Sequence, residues 1–147
     1  MDKDETLISE QVLQVPFNYS AGPVASRFLL ALRDEKKIYG IKCGGCGKVY
    51  VPPRAMCGDC FQRMDEWAEV GPEGTALNFT VVNYQERVHP VPGPFAIGII
   101  LLDGADTGLV HVVRAGPDDL KTGMRVRAVF ADERRGHLLD LECFESV

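Results

Sequence analysis

Residues 42–60 read KCGGCGKVYVPPRAMCGDC. Four of the five cysteines of a 147-residue chain fall inside these positions, as two C-x-x-C pairs, Cys43 with Cys46 and Cys57 with Cys60. Disulfides, redox chemistry and a metal compete to explain them. Each pair sits on a glycine-containing turn, CGGCG or CGDC, that can aim two thiolates at one point. The ten residues between the pairs suit a hairpin: KVYV supplies a short strand, and PPR a rigid turn that no helix can continue. Two facing turns make a tetrahedral four-sulfur site, the closed geometry of structural zinc. Redox chemistry needs one pair at a helix start, and neither pair here opens a helix. Zinc is favoured; iron suits the same tetrahedron. Four thiolates leave no coordination position for water or substrate, so the expected ion serves folding rather than catalysis.

Outward from this stretch, the chain is long enough for one domain, or one domain with a small module. It can bury roughly 70% of its unfolded surface. It opens MDKDETLISE, acidic and without the apolar core of a secretory signal. Its longest apolar run, Phe95–Leu102, fits one buried strand rather than a membrane span. A reducing, cytoplasmic setting follows as an expectation, and it weighs against disulfides. Net charge is −5, divided as −1 over residues 1–40, +1 over 41–66 and −5 over 67–147.

Residues 1–20 read as an extended arm in which Phe17 and Tyr19 are apolar anchors. From Pro23 to about Lys37, Ala25, Phe28, Leu29 and Leu32 recur at helical spacing. Ser20 and Gly22 are candidate caps, and Gly40 is the expected stop. The apolar face of this helix packs either on the ribbon or on another protein.

Beyond Trp67 the chain reads as all-β. Strands are expected over Thr75–Tyr84, Phe95–Leu102, Leu109–Arg114, Met124–Phe130 and Leu138–Phe144, each bounded by Gly, Pro or Asp. DGADTG is a hairpin loop, and Pro117–Leu120 is a candidate helical turn. Five strands with a longer link after the third match an OB-type Greek-key barrel; a five-stranded open sandwich is the alternative. The link QERVHPVPGP, residues 85–94, is held extended by three prolines, and loops longer than a hairpin needs often carry binding.

GIKCGGCGKVYVPPRAMCGDC, then WAEVGPEGTALNFTVV, then PFAIGIILLDG and LKTGMRVRAVF, stand in this order. From about Phe17 onward the chain resembles the acyl-CoA-associated family of a zinc ribbon followed by an OB-fold, domain of unknown function family thirty-five. The resemblance implies a mainly β fold: an N-terminal arm and helix over 1–40, a rubredoxin-like zinc ribbon over 41–66 and a five-stranded OB-fold barrel over 67–147. It carries the family's ligands onto Cys43, Cys46, Cys57 and Cys60, holding structural zinc. It implies a non-catalytic accessory subunit that binds a thiolase-type or aldolase-type catalytic subunit and helps form its acyl-CoA site. Degradation of aromatic or steroid acyl-CoA compounds is the implied setting, and no catalytic residue is carried over.

On that reading Phe28, Leu32, His89 and Phe95 are candidate contacts to partner or CoA, and Arg54, Arg63 and Arg87 candidate phosphate ligands. His111 in LVHVV and Cys143 beside Leu141 read as core residues, and His137 as part of a turn. The rival reading from another class is a single-stranded nucleic-acid binder, since OB barrels and zinc ribbons both serve that purpose. It requires a basic face. The acidic barrel segment weighs against one, although Arg125 and Arg127 share a strand face.

Overall fold

The computed structural model describes residues 7–116 and 119–147. One helix, α1 (Gly22–Glu35), is followed by eight strands: β1 (Ile38–Lys42), β2 (Val49–Tyr50), β3 (Glu66–Val70), β4 (Glu73–Val82), β5 (Phe95–Leu102), β6 (Leu109–Arg114), β7 (Arg125–Phe130) and β8 (Leu141–Ser146). A 3-10 turn, Leu138–Asp140, precedes β8.

Pro23 lies in the first turn of α1, where its missing N–H costs nothing. Ser20 Oγ accepts the Gly22 N–H at 3.2 Å. The helix stops at Lys36, which turns left-handed at φ 53° and donates its N–H to the Ala31 carbonyl. Gly40 is therefore not the stop. It lies inside β1, where a Cβ would meet Val49 Cγ1 at 2.6 Å and the Tyr50 carbonyl oxygen at 3.1 Å.

The first sheet runs β2–β1–β3, all antiparallel. It begins at Ile38 and reaches Val70, so it extends beyond 41–66 at both ends. The other five strands close a barrel in the order β4–β5–β6–β8–β7, with one parallel pair, β6 with β8. That order is the five-stranded Greek key of an OB-fold, so the open-sandwich alternative falls. The last strand starts three residues later than the pattern predicts. Leu138–Asp140 winds into the 3-10 turn because the Asp140 carboxylate accepts the amides of Arg135, Gly136 and His137 at 2.9, 2.7 and 3.2 Å. Leu139 consequently points to solvent and does not join the face of Leu141 and Cys143. The expected turn at Pro117–Leu120 falls partly outside the described residues; the amides of Asp119 and Leu120 donate to the Gly116 carbonyl.

One core cluster unites helix, ribbon sheet and barrel. Phe28 and Leu32 of α1, Ile38 of β1 and Val70 of β3 join Ile100, Leu102, Val126 and Phe144 of the barrel. Two polar links reinforce it. Arg134 Nε donates to the Arg33 carbonyl at the end of α1 at 2.7 Å. The loop 103–108 docks on the outer edge of β2: Asp106 Oδ2 accepts the Val49 amide, Thr107 Oγ1 accepts the Val51 amide, and the Asp106 amide donates to the Val49 carbonyl, at 2.8, 2.8 and 2.9 Å. Among the described residues, no helix is long and apolar enough to cross a membrane.

Candidate metal centre and apolar cleft

The two C-x-x-C turns are built alike. The Cys43 amide donates to the Lys48 carbonyl and the Cys57 amide to the Gln62 carbonyl, each at 2.9 Å. The residue after each second cysteine is left-handed, Gly47 at φ 78° and Phe61 at φ 56°. Gly45 lies close under the second turn: a Cβ there would displace the end of the exposed Gln62 side chain and stand 3.3 Å from the Cys60 sulfur. The result brings the four Sγ atoms of Cys43, Cys46, Cys57 and Cys60 within 4.8 Å of one another. Cross-turn pairs stand at 3.3 Å for Cys43–Cys60 and 3.6 Å for Cys46–Cys57. Zinc–sulfur bonds of about 2.3 Å at tetrahedral angles place sulfurs roughly 3.8 Å apart, so the cluster fits that ion with small adjustments.

The chemistry of the donors agrees. The Tyr50 hydroxyl, 3.3 Å from Cys57 Sγ, pulls that thiol down to about 6. The Cys46 amide lowers Cys43. Cys43 in turn pushes Cys60 up to about 12. Cys46 is raised as well: the Lys48 amide opposes, but burial and the sulfurs of Cys57 and Cys43 outweigh it. Two sulfurs are thus disposed to ionise and two are held back, and a divalent cation is what releases the remaining protons. Cys43 and Cys57 are buried, while Cys46 and Cys60 lie toward solvent. With four sulfur donors no position is left open, and the centre braces a segment whose own core is only Ile41, Tyr50, Met64 and the two inner cysteines.

The remaining predicted residues divide. Phe28 and Leu32 are 3% and 0% exposed and sealed inside the chain's own core. The expectation that they face a partner is corrected: the barrel end and β1 already cover this face of α1. Arg54 lies over the Tyr50 ring, its guanidinium carbon 4.9 Å from the centroid. Arg63 is exposed on the second turn, bridged through its backbone to Met56. His89 and Phe95 do come together. The His89 ring stands between Tyr84 and Phe95, centroids 5.1 and 5.2 Å away, and its Nδ1 accepts the Glu86 amide. Gln85 Oε1 accepts the Gly93 amide at 2.6 Å. The proline-rich link is therefore a built loop, with Arg87 exposed on it.

Beneath that loop lies a cleft of about 660 Å³, walled by Phe79, Val81, Val91, Phe95, Val112 and Leu120. None of Arg54, Arg63 and Arg87 lines it. Among the described residues its one cation is Arg114, which the sequence does not mark as a site residue, and Arg114 is bound to Glu142 and Glu145. The alternation of β6 places Arg114 beside the buried Val113, but its carboxylate partners come from β8 and no local signal reveals them. The cleft therefore suits an uncharged apolar body rather than a phosphate. The same neutralisation holds on β7: Arg125 pairs with Asp103 and Glu73, and Arg127 with Glu73. The shared face of Arg125 and Arg127 is not the free basic stripe that a nucleic-acid surface needs.

His111 and Cys143 are core residues, 5% and 0% exposed. Burial raises the Cys143 thiol to about 11, far from a nucleophilic thiolate at neutral pH.

Comparison with known families matches residues 31–65 to the rubredoxin-like zinc ribbon domain of ChsH2. Residues 67–131 match the C-terminal OB-fold domain of the same protein. A DUF35 domain-containing scaffold protein of Methanocaldococcus jannaschii is 30% identical over 101 residues, which is 67% of this chain and 71% of that one. Its counterpart in Methanothermobacter thermautotrophicus is 27% identical over 97 residues, 65% and 72% of the two chains. The crystal structure of a DUF35-family protein of unknown function from Sulfolobus solfataricus superposes with TM-score 0.61 at 25% identity, over 74% of this chain and 78% of that one. The Ltp2–ChsH2(DUF35) aldolase shares the fold, with TM-score 0.65 at 18% identity, over 88% and 98%. The chain belongs to the DUF35 family, with a four-cysteine zinc ribbon followed by an OB-fold barrel.

Proposed function

We propose that this chain is the non-catalytic accessory subunit of a thiolase-type acyl-CoA enzyme, helping to form that enzyme's acyl-CoA site in a degradative pathway for aromatic or steroid acyl-CoA compounds. The observation that carries the reading is the character of the two sites. The metal centre has all its positions taken by sulfur, and the cleft is walled by apolar side chains with no nucleophile beside a base among its lining residues. Such a pair of sites supports and shapes; it does not make or break bonds. Relatives described as scaffold proteins, and a structural neighbour described as an aldolase with a DUF35 component, support the same role.

In the complex, the cleft under the 83–94 loop takes an uncharged stretch of the thioester, the pantetheine arm or the acyl body. Phe95 is its floor and His89 holds the loop in place. The phosphates of CoA are left to exposed cations such as Arg87, Arg54 or Arg63, or to the partner. Reconstitution tests the proposal. The purified chain is mixed with the catalytic subunit that accompanies it in the native cell, and thiolysis of aryl- and steroid-derived acyl-CoA esters is followed. Turnover is expected only in the mixture. Turnover by this chain alone contradicts the proposal.

A further inference from the structure

Residues 7–20 form an extended segment that makes no backbone hydrogen bond to the rest of the described chain. Leu13, Val15, Phe17 and Tyr19 alternate along it and are 89%, 63%, 74% and 80% exposed. Alternation at this period places all four on one side of an extended chain. The rings of Phe17 and Tyr19 do lie together, 5.9 Å apart. The opposite side carries Gln14, Pro16 and Asn18. Pro16 also holds Val15 extended, so little freedom remains to be lost on docking. Leu7, 84% exposed, falls on the same side, while the exposed Ile8 and Val12 fall on the other. Contiguous apolar surface on this scale marks an interaction site. The two aromatics alone offer roughly 300–500 Å², about half of what one partner contributes to a standard interface.

The fold shows what does not cover this segment. The barrel is closed and has no edge to extend. The outer edge of β2 is filled by Asp106 and Thr107. β3 carries Glu66 and Glu69, each already paired with a lysine, Lys42 and Lys37. Among the described residues, the cleft lining sets Glu142 against Arg114, which Glu145 also pairs from beside it. Residues 1–20 themselves carry Asp2, Asp4, Glu5 and Glu10 against Lys3 alone. Another copy of this acidic chain, or this chain's own cleft, meets the segment with like charge.

We infer that residues 7–20 are the strap by which this chain holds its catalytic subunit, lying extended with Leu13, Val15, Phe17 and Tyr19 in an apolar groove whose rim is basic. This rests on the accessory-subunit reading and adds the element that makes the contact. It also accounts for α1, which is fixed to the fold by Phe28 and Leu32 and so anchors the strap rather than forming the interface itself.

The test uses the full chain and the catalytic subunit that co-purifies with it, identified by mass spectrometry and expressed separately. Binding is measured by calorimetry for the intact chain, for Phe17→Asp and for a chain lacking residues 1–20. Zinc content and melting temperature are followed in parallel; both are expected to stay unchanged for Phe17→Asp, whose ring is largely exposed, while the truncation costs α1 only the Ser20 cap on the Gly22 amide. Affinity is expected to drop at least about 100-fold in both variants, as for the loss of a buried aromatic anchor. Amides of residues 7–20 are expected to become protected from hydrogen exchange in the complex. Undiminished affinity in both variants overturns the strap and leaves the accessory role standing. Failure of the intact chain to bind any catalytic subunit overturns both. A dimer of this chain that dissociates on Phe17→Asp also overturns the strap, since a second copy is then its occupant.

Discussion

Phe61 follows Cys60 as Gly47 follows Cys46, and both residues are left-handed. The turn geometry demands that conformation, since it returns the chain so that its amides face the sulfur. For Gly47 it is free; for Phe61, with a Cβ and a ring that is largely exposed, it costs roughly 1–2 kcal/mol. Formation of the metal centre offsets that cost. A second residue-scale tension lies at His111. Its ring is buried against Phe144, its Nε2 stands 3.4 Å from the Leu138 carbonyl and its Nδ1 has no partner among the described residues. Burial lowers its proton affinity below that of an unfolded histidine. The unfolded chain therefore takes up a proton first as the pH falls through about 6.5. The stability due to the neutral ring is fully present above that point and declines below it. His111→Phe is expected to flatten part of this acid loss, seen as a smaller fall in melting temperature between neutral and mildly acid buffer at constant zinc content. Equal falls in both proteins count against the assignment. The cysteine ligands were legible because spacing alone constrains them. Arg114 and the role of Phe61 were not, because one depends on partners 28 and 31 residues away and the other on a backbone angle.

Elements were legible where one face alternates between core and solvent. Strands β5, β6 and β7 lie where the hydrophobic pattern puts them, to within a residue. Strand β4 begins and ends two residues before the expected Thr75–Tyr84, and at the last strand a single polar group overrides the pattern. Asp140, gathering three amides, turns the expected start of the last strand into a 3-10 turn. The Asp106–Thr107 loop, readable as a hairpin, could not be read as the piece that welds ribbon to barrel. The helix is the instructive case. Its periodicity declared an apolar face, but periodicity carries no information on what covers that face. The barrel does, through Leu32 at 0% exposure. Leu32→Ala is expected to destabilise the isolated chain by about 2–5 kcal/mol, measured by urea unfolding. A change confined to partner affinity, with unfolding unaltered, restores the helix to the interface.

At the scale of the whole molecule, charge and closure divide the work. The barrel has no open edge, Arg114, Arg125 and Arg127 are tied to carboxylates, and four sulfur donors leave the metal centre no position for a reactant. What is left for other molecules is the apolar cleft and the exposed apolar strap, both suited to holding something still. The proposed role is to lend shape and not chemistry, and the ion is where that role is tested most sharply. X-ray absorption at the zinc edge of the purified, zinc-loaded chain measures it directly. The prediction is four sulfur neighbours at about 2.3 Å and no lighter ligand. Three sulfurs with an oxygen or nitrogen at about 2.0–2.1 Å contradict it, because such an ion has a position at which water or a substrate can react.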